Sequence, residues 1–362
     1  MKVRLNNTVR RHRESAGLSQ RALADHLGVT RQAIAAVESG RHAPATSLAL
    51  GIARVLRCTV EELFRLADPD EIEVEMASSV NEGARRAVVA RVEGRWVAHN
   101  LAMDDTRSAD AIIRCSGSRW TARPLQELDT LENKILVAGC APLLGTLAER
   151  LGSRFSDARM GWISASSQRA VSLLGDRLVH VAGVHFFDLH AGQDHEAAVR
   201  RHFPGQRMLI VNLTRWQQGL VLPPGNPRRL LSAADLKSPG LTMARRESGA
   251  GAHKLLAQIL LREGATELAG PLALGHMDVA RLVACGAADV GVAIEAAALA
   301  AGLEFVPLTQ ERFDLVIPAA LASSAPVSRL VDTLDDRGFR QDVAHMPGYD
   351  GSICGHAVTV AA

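Results

Sequence analysis

Between Leu18 and Ser39 apolar residues recur at helical spacing, first as Ala22, Leu23 and Leu27 and then as Ile34 and Val37, with Gly28 separating the two sets. Ser19 and Thr30 each precede one set, where a hydroxyl oxygen can accept a free backbone N–H of the first helical turn. The pattern predicts two short helices joined at Gly28, the first over about residues 20–27. On the second, Ile34 and Val37 face inward, leaving Arg31, Gln32 and Ala35 on the outer side. Ala24 is small where two steeply crossing helices bring their backbones together.

Beyond residue 66 the period changes. The stretch from Asp68 to Glu75 is acidic and loses its helical repeat after Pro69, so a domain boundary is expected there as a linker or early strand. Residues 87–92 and 95–98 are β-branched and alternate about Glu93-Gly94, which predicts a hairpin. From Ile112 onward short apolar runs alternate with helical stretches, the signature of an α/β domain with largely parallel strands. Strands are expected at 111–115, 134–138, 159–163, 180–184, 208–213, 240–243, 290–293, 304–308 and 313–318, and helices at 141–151, 167–175, 250–264, 277–285, 294–301 and 326–338.

Leu18-Ser19-Gln20, Leu23-Ala24, Gly28-Val29-Thr30-Arg31-Gln32, Ile34, Val37-Glu38-Ser39-Gly40-Arg41, Pro44 and the run from Leu48 to Leu63 resemble the Cro/C1-type (XRE) helix-turn-helix family. The resemblance covers residues 4–66 and implies a double-stranded DNA operator as partner. It places Gln20 and Arg41 on phosphates, Arg31, Gln32 and Ala35 toward base edges, and Thr30 on the same surface, glutamine suiting adenine and arginine suiting guanine. Ala35 stands where the family commonly has a polar residue.

A second resemblance rests on Gly139-Cys140-Ala141-Pro142, Ser166-Ser167-Gln168, Gly183-Val184-His185, Arg245-Arg246-Glu247-Ser248-Gly249-Ala250-Gly251, Gly275-His276-Met277, Phe313-Asp314-Leu315 and Pro347-Gly348-Tyr349-Asp350. Their order is similar to that of the type II periplasmic-binding-protein fold, in the form fused to regulators and to molybdenum-cofactor proteins. The expected architecture is multidomain: an all-α helix-turn-helix domain over 1–66, a linker and β-hairpin over 67–107, and a two-lobed α/β effector domain over 108–362. Small residues at strand-to-helix turns leave first-turn N–H groups free for an anion. Cys140, Ala141, Ser166, Ser167, Ser248, Gly249 and Ala250 are therefore expected in an interlobe cleft, with Arg246 for charge and Tyr349 and Asp350 alongside. Glu247 disfavours a bulky polyanion, and the resemblance implies a molybdate-like oxyanion as the small-molecule effector.

Charge sharpens this division. Residues 1–66 hold eleven Lys/Arg against five Asp/Glu, a charge of +6, leaving 30 basic and 34 acidic residues, or −4, in the remainder. A basic head on a mildly acidic body is the footprint of a DNA-binding module joined to something else. No apolar run reaches bilayer length and no signal peptide opens the chain, so a cytoplasmic protein without a membrane partner is expected. The five cysteines lack Cys-x-x-Cys spacing, which excludes a zinc ribbon.

His185, His190 and His195 lie five apart and fit no helical ligand pattern, so neither metal nor cofactor is expected. Cys140, at a helix start, is the thiol to watch as a reactive or metal-sensing group. No nucleophile elbow, phosphate loop or His-Glu-x-x-His appears, so the expectation is a ligand-responsive transcription regulator, a homodimer or homotetramer, and not an enzyme. The alternatives are a molybdenum-cofactor-related or other small-molecule enzyme with an accessory DNA-binding head, and a metal or thiol-reactive sensor using Cys140.

Overall fold

The capping residues act as their positions require. In the computed structural model, which describes residues 5–66, 71–78, 85–102, 105–116, 119–186, 195–265 and 269–361, Ser19 Oγ accepts from Ala22 N at 3.0 Å and Thr30 Oγ1 from Ala33 N at 3.2 Å. Strand β1 (Leu5–Asn7) is followed by α1 (Val9–Ser15), α2 (Gln20–Leu27), α3 (Arg31–Glu38), α4 (Thr46–Leu56) and α5 (Val60–Leu63), and β2 (Phe64–Leu66) returns antiparallel to β1. Gly28, at φ 64°, turns α2 into α3. Leu23, Ala24, Ile34, Val37, Ile52 and Leu63 form the core of this helical region.

Next comes a closed barrel of β3 (Ile72–Met76), β4 (Arg85–Val92), β5 (Arg95–Asn100), β6 (Ala111–Ser116) and β7 (Arg119–Pro124), in the order β3-β5-β4-β6-β7. The hairpin at Glu93-Gly94 forms as expected, both residues having positive φ. The strand expected to open the two-lobed domain does not belong there. As β6 it pairs with β4 and β7, so the two-lobed part starts beyond Pro124 and not at 108, and 67–107 is more than a linker and hairpin. Ala111, Ile113 and Ala122 bury fully here, and a strand's own alternation does not name its partner. Part of the acidic stretch is β3; residues 67–70, 79–84 and 103–104 of the expected linker and hairpin lie outside the described residues.

The remaining elements are α6 (Leu128–Glu132), β8 (Lys134–Gly139), α7 (Leu143–Arg154), β9 (Arg159–Ser164), α8 (Ser167–Gly175), β10 (Val181–Val184), α9 (His195–His202), β11 (Met208–Leu222), β12 (Met243–Arg246), α10 (Gly251–Glu263), β13 (Leu272–Ala273), α11 (His276–Ala284), β14 (Val290–Ile294), α12 (Glu295–Ala300), β15 (Glu304–Pro318), α13 (Ala325–Leu334), α14 (Arg337–His345), β16 (Tyr349–Asp350) and β17 (Ala357–Val360). Their sheet runs β13-β12-β14-β11-β15-β10-β8-β9. The long strands β11 and β15 belong to both lobes. In one, β15 pairs with β10 and β11 with β17; in the other, β11 pairs with β14. Register shifts at Asn212/Thr214 and Gln218/Gly219 bracket the crossing. The expected strands at 304–308 and 313–318 are thus one strand, that at 240–243 is displaced to β12, and the helix expected at 326–338 is two, Asp336 capping the second.

Candidate effector site and DNA interface

Helix α3 leaves Arg31 and Gln32 exposed and Ala35 half-buried, which presents them as the outer-face reading requires. Arg41 is exposed too, its Nε donating to Ser39 Oγ at 2.9 Å. Gln20 is engaged within the helical region: Nε2 donates to Glu38 Oε2 at 2.8 Å and Oε1 accepts from Arg31 Nε at 3.5 Å. It therefore reaches Arg31 and Glu38, and the Thr30 hydroxyl is used as a cap. Arg13, absent from the expected residues, anchors the assembly through Glu38 at 2.6 Å and the Leu18 carbonyl at 2.7 Å.

In the two-lobed part the expected turns separate by role. Ala141 and Ala250 are packed, and Ser166 Oγ caps α8 by accepting from Arg169 N at 3.4 Å. Ser167 Oγ accepts from His185 N at 3.1 Å and donates to His185 O at 3.2 Å, so it fixes His185 and is not a free ligand donor. Ser248 is exposed. Gly249 O accepts from Gln168 N at 3.4 Å, joining the lobes, and a Cβ there would press on Ser166 Oγ. Buried Arg246 donates through Nε and Nη2 to Glu247, while its Nη1 has no partner. Asp350 turns to its own loop, accepting from Ser352 N at 2.8 Å.

At the crossing of β11 and β15 lies a cluster the expected residues only touch. Cys140, His185 and His276 are all buried, and their donor atoms lie within 4.8 Å of one another. Cys140 and His185 follow β8 and β10 in one lobe, and His276 opens α11 in the other. Glu311, on β15, takes three donors: His185 Nδ1 at 2.7 Å, Trp216 Nε1 at 3.4 Å, and the Gln218 amide, whose nitrogen faces Oε2 at 2.6 Å and Oε1 at 3.0 Å. Burial opposes a charged His185, but Cys140 and Glu311 overcome it and hold the imidazole up at about 10. Burial, with Arg246 and His185 beside it, keeps His276 well below 6.5 and neutral, and neither of its ring nitrogens has a partner. Tyr349 Oη is buried without a partner, and burial followed by Cys140 pushes the phenol upward. Trp216 stands 5.3 Å from His185 and 5.6 Å from His276 between ring centroids, closing the walls.

A family described as a PBP superfamily domain matches residues 148–335, more than half of the chain. The chain belongs to that superfamily. A helix-turn-helix family matches residues 9–63, in line with the basic head. Among curated relatives, YvgK of Bacillus subtilis is 26% identical over 183 residues, 49% of this chain and 58% of that protein, so the chain spans less than two thirds of it. An HTH-type transcriptional regulator of Methanothermobacter thermautotrophicus is 46% identical over 63 residues, 17% of this chain and 91% of that protein. A solved structure described as a phosphate ABC transporter substrate-binding protein of Clostridium perfringens aligns at TM-score 0.49 and 13% identity, over 60% of this chain and 99% of that one. This chain therefore joins a helix-turn-helix of transcription-regulator type to a PBP domain.

In the two-lobed part, sequence reasoning marked Cys140 and Tyr349, noted His276 in the Gly275-His276-Met277 motif without making it a site residue, passed over Glu311 and Gln218, and set His185 aside with its five-residue spacing. His190 lies outside the described residues, and His195 instead stands 2.6 Å from Asp314. A usable signal was present: Gly139-Cys140, Val184-His185 and Gly275-His276 each leave or approach a strand-to-helix turn, where α/β sheets gather ligand groups.

Proposed function

We propose that the chain is a ligand-responsive transcription regulator whose helical head binds an operator and whose PBP domain takes a small effector between its lobes. The observation that carries this reading is the convergence of buried polar groups from both lobes where β11 and β15 pass between them. An occupant there gains contacts only while the lobes are close, so its binding free energy biases the angle between them. A single helix-turn-helix reads few base pairs, so two heads set about 34 Å apart on one face of the duplex are required, and pairing of PBP domains supplies the coupling. A molybdate-like oxyanion belongs in the panel of effectors to test, the unpartnered, buried Nη1 of Arg246 being a donor it could take.

The test selects an operator from random duplexes with the full-length chain and then titrates it with and without molybdate and a panel of metabolites. An effector should change operator affinity by about 5–150-fold. The reading falls if compounds that raise the chain's melting temperature leave operator affinity unchanged.

A further inference from the structure

We infer that Cys140, His185 and His276 form a binding site for a divalent thiophilic transition-metal ion of the zinc class, and that this ion is an effector of the PBP domain. The inference rests on the reading of the interlobe cleft as the effector site and replaces the oxyanion as its occupant.

The donor set is one sulfur and two imidazole nitrogens, which select zinc-like or copper-like ions over magnesium or calcium. A tetrahedral ion with Zn–S of about 2.3 Å and Zn–N of about 2.0–2.1 Å holds its donors about 3.5 Å apart. The three donor atoms already lie within 4.8 Å of one another, near that spacing. Because His276 comes from the opposite lobe, an ion held by all three groups ties the two lobes together.

Outer groups are already arranged as a metal histidine requires. Glu311 takes His185 Nδ1, so Nε2, which is hydrogen-bonded with Cys140, is the nitrogen that meets an ion; the ion displaces the proton shared with the thiol to solvent, and Gln218 and Trp216 hold the carboxylate in turn. Backbone bonds to Ser167 Oγ fix His185 from behind. At Gly251, the first residue of α10, a Cβ would collide with the His185 ring, so only glycine lets α10 pack against it and hold it in place. His276 is the decisive residue: a nucleophilic cysteine paired with His185 has no use for it, yet it lies buried with both ring nitrogens unpartnered. Charge also balances. Arg246 and Glu247 pair with each other, and a thiolate together with the thrice-bonded Glu311 carboxylate offsets a divalent ion.

The experiment uses the full-length chain, reduced and stripped with chelator, titrated with Co(II) as an optical probe and then with Zn(II) as competitor. Expected are one Co(II) per chain, a thiolate-to-cobalt charge-transfer band, intense d–d bands of a near-tetrahedral ion, and displacement by Zn(II). Cys140→Ser should abolish the charge-transfer band, and His276→Gln should weaken binding by at least 100-fold. Glu311→Gln, a positioning change, should weaken binding 10–100-fold while keeping the band. His345→Gln, at an exposed histidine, should change nothing. Metal-free circular dichroism checks folding, with Cys140→Ala and His276→Asn replacing any variant that misfolds. Absence of the charge-transfer band, its survival in Cys140→Ser, or unchanged affinity in His276→Gln overturns the site. Operator titration with and without Zn(II) separates the two claims. Metal binding that leaves DNA affinity unchanged overturns the effector role, and molybdate-dependent DNA binding in a chain that takes no metal overturns the metal while sparing the regulator.

Discussion

Glu38 receives Arg13 from one side and Gln20 from the other, with only 4% of its own side chain and 8% of Arg13's exposed. Removing one member of a buried pair leaves the other charged without a partner, so Glu38→Ala should destabilise the helical region by about 3–5 kcal/mol, read by denaturant unfolding followed by circular dichroism. His180 gives a pH signature of opposite origin. Its Nδ1 accepts from Leu136 N at 2.9 Å and its Nε2 donates to Arg91 O at 3.2 Å, and burial, opposed by the Arg91 bond, lowers it from 6.5 to about 4. The unfolded chain therefore takes up the proton first: His180's contribution is complete above about pH 6.5 and is lost as pH falls toward 4. Unfolding free energy measured across that window should fall in the parent chain and fall less in His180→Gln. At this scale the helix-turn-helix was legible because Ser19, Ala24, Gly28 and Thr30 act on near neighbours. The cluster was not, because residues 140, 185 and 276 share no local spacing and meet only through the fold.

The strands β11 and β15 show what hydrophobic pattern misses. Thr214, Gln217 and Gln218 interrupt one apolar run and Thr309, Gln310 and Glu311 the other, so each reads as two pieces or as a short strand, although both continue through the crossing. The polar residues that hid the elements supply part of the site. Gly219 sits at the second register shift, and a side chain there would meet the Val306 carbonyl and the Phe305 ring. Gly219→Ala should lower stability by about 1–3 kcal/mol, measurable by thermal unfolding, because backbone cannot yield as a flexible side chain does. The barrel was half legible: the Glu93-Gly94 hairpin is local, whereas the pairing of β6 with β4 joins residues that no turn signal connects.

Across the whole molecule, the basic head and the PBP domain were both visible in charge and motif, but the barrel moved the boundary between them. A fragment begun at Arg85 would discard β3 and leave β5 and β7 without their shared neighbour. Such a fragment should aggregate or unfold at lower temperature than one begun at Glu71, a comparison that sedimentation and thermal melting make directly. With the barrel intact, the coupling reading requires the longer fragment to self-associate at micromolar concentration; a monomer with and without effector would remove pairing as the route to the operator.

The shared strands also set the order in which the chain can mature on the ribosome. The first lobe needs β17, whose Ala357 pairs with Val211, and α13 and α14, which pack on α7. Between Val211 and Ala357 about 145 residues must emerge, roughly 7–30 s at about 5–20 residues per second. Through that interval the apolar edge of β11 waits uncovered while the helical head can already fold. Nonsense mutations that delete only β17 will consequently be cleared by chaperones and proteases as unfinished protein, and in a genetic screen they will imitate loss of the whole chain.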